Sequence, residues 1–330
     1  MDLWALADLR TPWCLHVAVT LRIAEHIAAG REEIGALAGA ASCDATMLGL
    51  VLTHLAHAGV FEEPEPGRFR LNEAARQLLE PGARSGLDLD GFGGRMAHAW
   101  STLLTLVRTG KPAYRDVFGR PFWEDLDAHP EIGAAFDALM GPGHGTPDAD
   151  FPLAGGWEAV RTVTDVGGGT GAMLAEILRA RPWIRGTLVD LPRAAAASAE
   201  TFRAAGVSDR ARAVGQSFFD PLPAGDDVYL LRGVINDWPD PEAAAILRRC
   251  AEAAQVVGGR VVVLKSVSPD ERPAEIQIET VLLGGRQRTL GEFRTLAAGC
   301  GLEVAAAGRQ KSGASFVECR PEACATDTAR

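Results

Sequence analysis

The sequence predicts an α/β protein in which helical segments and a two-stranded wing precede a mostly parallel sheet with crossover helices. Three observations carry that prediction. From residue 161 to 267, short β-branched runs alternate with Ala-rich helical stretches, the texture of parallel strands joined by helices. The first 90 residues read instead as helices followed by a hairpin, the plan of a winged helix. At 330 residues and 47% apolar content, the chain exceeds what one core serves and has the material for two.

Residues 3–29 read as one helix, because Leu, Ile, Val and Ala recur at helical spacing from Trp4 to Ile27. A short helix at 33–39 follows, then Ser42 and Asp44 as candidate caps and an apolar-faced helix at 45–57 that stops at Gly59. The run VFEEPEPGRFRLN places two short strands around a Pro-Gly turn, which makes 1–90 a winged-helix-like domain. Residues 91–150 form a helical block in which FGGRMAHAWSTLLTLVRTG and FWEDLDAHPEIGAAFDALM are joined by KPAYRDVFGRP. It ends in GPGHGTPDADFPLAGG, whose Gly, Pro and Asp mark a connection. Residues 151–320 supply the strands RTVTDV, GTLVDL, RARAVG, DVYLLRGV and GRVVVLKSV, with LEVAAAG and ASFVECR as a hairpin on the sheet edge. The tail, 321–330, is polar and expected to fray.

With 43 acidic against 33 basic side chains and a formal charge of −10, the chain is a poor partner for nucleic acid or an anionic membrane. The second helix of the wing domain, DATMLGLVLTHLAHAG, contains no Lys or Arg, so it is expected to pack or dimerise and not to bind DNA. No run approaches the ~20 apolar residues of a membrane span, and the N-terminus lacks a basic segment with an apolar core and cleavage site, so a cytoplasmic location is expected. The six cysteines are scattered without a C-x-x-C pair and read as plain thiols, with no metal site or disulfide framework. Only Lys111, Lys265 and Lys311 are lysines, and all seven His precede residue 145.

The sharpest motif is TDVGGGTGAML, an apolar strand ending at Asp165-Val166 before a helix that begins near Thr170. Gly167, Gly169 and Gly171 let backbone N–H groups and the helix start approach a ligand unobstructed. Gly167, Gly169 and Ala172 also satisfy the G-x-G-x-x-A form of a dinucleotide fingerprint, and Asp190 ends the next strand about 20 residues on, placed to accept from ribose hydroxyls. These residues indicate the ribose of a nucleotide-like cofactor and leave its identity open.

The segments VDLP, VGQSFFDPLP, YLLRGVINDWPD, EAAAILRRCAEAA, GGRVVVLKSV and GGRQRTLGEFRTLAAGCGL, with GRPFWEDLDAHPEIGAAFDALM before them, resemble in order and spacing one known family. It is the S-adenosylmethionine-dependent small-molecule O-methyltransferases of bacterial natural-product and plant phenolic pathways, and the resemblance spans roughly residues 3 to 320. It implies a class I methyltransferase domain, Rossmann-like with a mostly parallel seven-stranded sheet, behind a winged-helix-like domain that forms a homodimer. It also implies S-adenosylmethionine as cofactor and S-adenosylhomocysteine as product. Carried over residue by residue, the family's cofactor contacts fall on Gly167, Gly169 and Gly171 for the methionine portion, Asp190 for the ribose, Ser217 and Phe218 beside the adenine, then Arg232, Asp237 and Trp238. Asp237 can pair with the ligand's ammonium and Trp238 can present an aromatic face to the base, unless Trp238 is an ordinary core aromatic.

Three positions depart from the family together. Where its oxygen-methylating members place a His general base in H-D-W, this chain has Asn236, and the two acidic partners of that base correspond to Lys265 and Gln287. An amide has no usable basic nitrogen near neutral pH. Asn236 and Gln287 can pair through complementary amides, with Lys265 a cation buried beside them. Lys265 is then either salt-bridged to Glu275 or Glu279, an anchor for a substrate carboxylate or enolate, or itself a base of lowered pKa. Methyl transfer survives the loss, because the sulfonium makes the methyl electrophilic and the main task is holding a nucleophile about 3 Å away in line. Met96, Trp100, Phe136, Met140, His144 and Glu279 are the candidate substrate residues, with Phe92 and His98 beside them on the same helices. The expected function is transfer of a methyl group to a small aromatic or polyketide-like secondary metabolite, by proximity without a His base. The alternative is a homologue that binds the cofactor and catalyses hydroxylation, decarboxylation or cyclisation.

Overall fold

The computed structural model describes residues 2–140, 149–268 and 278–322. Two compact units divide the chain: Met1–Leu103 with Asp116–Leu139, and Leu104–Arg115 with Met140–Arg330.

The first unit opens with α1 (Leu3–Leu6), α2 (Arg10–Thr20), α3 (Ile23–Ala28), α4 (Ile34–Ala41) and α5 (Ala45–His57). The single helix expected over 3–29 is therefore three. Asp8 breaks it first, its carboxylate accepting from the N–H groups of Arg10 and Thr11 at 3.0 and 3.1 Å. Arg22 breaks it again with a left-handed φ of 56°. Asp44 caps α5 through the Met47 N–H at 2.9 Å, whereas Ser42 ends α4 at a φ of 52°. The hairpin is β1 (Phe61–Glu65) with β2 (Arg68–Leu71), antiparallel about Gly67. Its two arginines, Arg68 and Arg70, are both drawn to Glu32 at 2.7 and 3.2 Å. Ile23, Leu37, Leu52, Leu55 and Phe69, none with any exposure, form the core beneath it.

Two short helices, α6 (Glu73–Gln77) and α7 (Pro81–Leu87), precede α8 (Phe92–Ala99) and a 3₁₀ turn. Then α9 (Leu103–Thr109), α10 (Tyr114–Phe118), α11 (Phe122–Ala128) and α12 (Pro130–Met140) complete the helical block. Of the expected connection at 141–156, residues 141–148 lie outside the described residues, as does the end of the tail at 323–330, whereas Phe151 and Leu153 are buried in the second unit's core.

The second unit is built on β3 (Thr162–Val166), β4 (Arg185–Asp190), β5 (Ala211–Gly215), β6 (Val228–Arg232) and β7 (Arg260–Leu264). Between them run α13 (Ala172–Ala180), α14 (Pro192–Ala204) and α15 (Asp240–Gln255). The short β8 (Val267–Ser268), α16 (Ile278–Leu282), β9 (Arg288–Thr289) and α17 (Leu290–Ala298) follow, and then β10 (Leu302–Arg309) and β11 (Ser315–Pro321). The seven-stranded sheet has the order β10-β11-β7-β6-β3-β4-β5. β11 is antiparallel to both its neighbours and the other pairs are parallel. The near-continuous apolar strands follow from this layering, since both faces are covered. Tyr229, Leu231, Val261 and Val263 pack with Leu247 of α15 and Phe293 of α17, while Val163, Leu188, Leu230 and Val262 pack with Leu174 and Leu178 of α13. No single helix among the described residues is long and apolar enough to cross a membrane.

Candidate active site

Strand β3 pairs with β4 on one side and β6 on the other, so the chain order reverses direction there and a crevice opens at the strands' carboxyl ends. The glycine loop lies in that crevice. Gly167, Gly169 and Gly171 take left-handed φ values of 70, 60 and 82°, which side chains with a Cβ strongly disfavour. A Cβ on Gly168 would stand 2.4 Å from Asp165 Oδ2 and 2.5 Å from Leu188 Cδ1, so the loop rests directly on the end of its own strand. Asp190 ties the loop to β4, its Oδ2 accepting from Gly169 N–H and its Oδ1 from Leu191 N–H, both at 2.7 Å.

Asp165 is not singled out by the sequence, although it stands at the start of the motif. It has no solvent exposure, and neither carboxylate oxygen has a hydrogen-bond partner of normal geometry among the described residues. Burial pushes its pKa up to about 7; nearby Arg232 opposes the rise, Asp190 adds to it, and the Leu174 N–H lowers it slightly. A buried, unpartnered carboxylate under a glycine loop is a place for positive charge.

One wall of the crevice is aromatic. A Cβ on Gly167 would meet Val234 Cγ2 at 2.8 Å and Phe218 Cε1 at 3.4 Å, which places Phe218 against the loop. Trp238 stands perpendicular to Phe219 at 5.1 Å and nearly so to Phe218 at 5.9 Å, as part of the core on that side of the sheet. Ser217 turns the chain at this point, its hydroxyl accepting from Phe219 N–H at 3.2 Å.

The sequence expectation for the Asn236 site needs correction. Asn236 does not pair with Gln287: its Oδ1 accepts from the Ser266 hydroxyl at 2.7 Å and its Nδ2 donates to Asp237 Oδ1 at 2.9 Å. Lys265 is not a buried cation. Its backbone turns left-handed with a φ of 61°, its side chain is exposed, and fully buried Ser266 occupies the inward position next to Asn236. Burial alone pushes the Asp237 carboxyl up to about 7. Gln287 is half-buried, and Glu275 and the side chain of Glu279 lie outside the described residues.

Arg288 also escapes the sequence, and among the described residues it is the largest fully buried side chain, at 1% exposure. Its guanidinium donates to Ile235 O at 2.8 Å, Trp238 O at 2.9 Å and Asp240 Oδ1 at 2.9 Å. Arg286 N–H donates to Asn236 O at 2.8 Å. Residues 286–288 therefore grip the backbone of 235–238 at three carbonyls.

The first unit holds three of the substrate candidates. Phe136 sits 5.3 Å from Phe92, 5.5 Å from Trp123 and 5.7 Å from Phe122 in an aromatic cluster. Met96 is half-buried, Trp100 is 40% exposed, and exposed His98 packs on Trp13 at 5.3 Å. His144 and the side chain of Met140 lie outside the described residues.

Residues 100–303 match the family model of the O-methyltransferase domain, and residues 4–81 match that of the O-methyltransferase dimerisation domain. The 2,7-dihydroxy-5-methyl-1-naphthoate 7-O-methyltransferase of Streptomyces carzinostaticus is 42% identical over 93% of this chain and 94% of its own. Aclacinomycin 10-hydroxylase of Streptomyces purpurascens is 39% identical, covering 91% and 83%. Among solved structures, an O-methyltransferase from neocarzinostatin biosynthesis in complex with S-adenosylmethionine and 2-hydroxy-5-methyl naphthoic acid superposes with a TM-score of 0.84. It is 40% identical, with 97% of this chain and 99% of that one covered.

Proposed function

This chain belongs to the S-adenosylmethionine-dependent O-methyltransferases, and from that membership we propose that it methylates an acidic hydroxyl on a small polycyclic aromatic of polyketide type, working as a homodimer. The observation that carries the cofactor reading is the orphaned Asp165 carboxylate beneath the glycine loop, with a second buried carboxylate at Asp237. A cationic ligand compensates both. The loop's left-handed glycines keep Cβ atoms away from the methionine portion, Asp190 stands at the end of β4 for the ribose, and Phe218 with Trp238 gives the base an apolar wall. Bound S-adenosylmethionine supplies an electrophilic methyl on a sulfonium. The protein's part is to exclude water and hold the acceptor oxygen in line.

Asn236 cannot remove the acceptor's proton, since its amide is already engaged on both sides and is not basic. Substrates whose hydroxyl ionises near neutral pH need no such base, and hydroxyls conjugated to a ring carbonyl, as in a hydroxyquinone, are of that kind. The relative named for a dihydroxynaphthoate and the solved structure that holds a hydroxynaphthoic acid support a hydroxylated fused aromatic as the acceptor. The test is to incubate the protein with S-adenosylmethionine and a series of hydroxynaphthoates of graded acidity. Formation of S-adenosylhomocysteine in step with a product gaining one CH₂, at rates that rise as the phenol becomes more acidic, is the expected result. A converted substrate without S-adenosylhomocysteine points to the non-methylating chemistry for which the aclacinomycin 10-hydroxylase relative is named.

A further inference from the structure

The position of the family's lost base is wired into the cofactor site. Ser266, with no exposure, sends its hydroxyl to Asn236 Oδ1 at 2.7 Å, and Leu264 O lies farther off at 3.2 Å. The Asp237 carboxylate can only accept, which fixes which end of the amide is which: Nδ2 faces Asp237 Oδ1 at 2.9 Å and the amide oxygen is left for Ser266. The backbone of Asn236 is immobilised as well, its carbonyl held by Arg286 N–H at 2.8 Å and its neighbours' carbonyls by Arg288. Nothing in this chain of bonds points a basic atom outward. The side-chain relay from Ser266 through the Asn236 amide ends on the Asp237 carboxylate.

We propose that Asn236 is a positioning residue for cofactor binding: held by Ser266, its amide aims the Asp237 carboxylate at the ligand's ammonium. The proposal rests on reading Asp237 as that ammonium's partner. An N–H donated to a carboxylate is a charge-assisted bond and favours the ionised form. Asn at this position is then a gain for binding as well as a loss of a base. Asp237 keeps only one oxygen committed to Asn236, which leaves the other for the ligand.

The experiment is a set of cofactor affinities by titration calorimetry on the full-length protein, with circular dichroism to confirm folding. Asn236→Ala is expected to raise the Kd of both S-adenosylmethionine and S-adenosylhomocysteine by about tenfold, since both carry the ammonium. Asn236→Asp is expected to bind more weakly still, because it sets a second carboxylate against Asp237 although it is the closer isostere. Ser266→Ala is expected to cost about threefold in the native background and nothing further in Asn236→Ala, with the loss falling on the cofactor's KM and not on kcat. Asn236→Asp binding as well as Asn236→Ala, or Ser266→Ala costing the same in both backgrounds, overturns the proposal. Asp237→Asn separates the two claims. Unchanged affinity there removes Asp237 as the ammonium partner, whereas a weakened Asp237→Asn beside an unaffected Asn236→Ala removes the positioning role alone.

Discussion

At Asp165, stability and binding pull in opposite directions. Its folded pKa, about 7, lies above the ordinary carboxylate value of 3.8, so the folded protein holds this proton more tightly than the unfolded chain does. The resulting stabilisation is fully present below pH 3.8 and is lost as pH rises through about 7. Asp237 follows the same sign for the same cause. A cationic ligand reverses the balance by favouring the ionised carboxylates. Asp165→Asn should therefore raise the melting temperature of the ligand-free protein at pH 8 by on the order of a few degrees, with the gain shrinking towards pH 4. The same variant should lose most of the thermal shift that S-adenosylmethionine gives the native protein at pH 8. Fluorimetric melts with and without cofactor across that range check both, and a lower ligand-free melting temperature at pH 8 would falsify the account.

Residue identity alone also misplaces one side chain. Lys265 occupies the family's acidic position in linear order, but its left-handed backbone sends it outward and brings Ser266 in to meet Asn236. A positive φ at a non-glycine residue leaves no mark in composition or spacing. The glycine motif is legible because three glycines at fixed spacing require one backbone shape, whereas a buried Asp beside them becomes informative only once its missing partners are seen.

At the scale of elements, the loop at 235–238 is held by a strand two residues long. β9 pairs with β8 through Val267↔Arg288 and Ser268↔Thr289, next to the point where Ser266 reaches Asn236. The run GRVVVLKSV reads straight through from β7 into β8, and no periodicity exists in two residues, so β9 escapes the sequence. So do the breaks at Asp8 and Arg22, which leave the apolar spacing of 3–29 unchanged. The central strands β3, β4, β6 and β7 are legible because they are apolar on both faces. The clamp makes a sharp contrast between two neighbouring arginines. Removing Arg288, at 1% exposure, leaves the Ile235 and Trp238 carbonyls without their shared donor, at about 1–3 kcal/mol each, while Asp240, at 44% exposure, exchanges its partner for water. Arg286, whose side chain is 45% exposed beside Asp240 and Glu292, holds Asn236 only through its backbone, so Arg286→Ala should cost about 1 kcal/mol or less. Urea unfolding of Arg288→Met and Arg286→Ala measures the difference. Equal losses would refute the clamp.

For the whole molecule, the order of a winged-helix-like domain before a parallel-sheet domain is legible, since it is written in the change from helical to strand periodicity near residue 161. What assembles around the first domain is written instead in what it leaves uncovered. Leu3, Trp4, Leu6 and Leu9 are 71, 82, 68 and 70% exposed, and α1 contributes no buried residue at all. An apolar segment of this kind, within the region that matches the dimerisation domain, needs a partner surface. In a twofold dimer each such side chain is buried twice, once per subunit. At about 1.5–3 kcal/mol for each large apolar side chain fully buried, Trp4→Glu with Leu9→Glu removes four of them and should weaken association by several orders of magnitude. Sedimentation velocity at micromolar concentration should then show a dimer for the native protein and a monomer for the double variant, with circular dichroism unchanged because neither side chain belongs to the core. A double variant that still sediments as a dimer would place the interface elsewhere and leave this apolar segment for another partner.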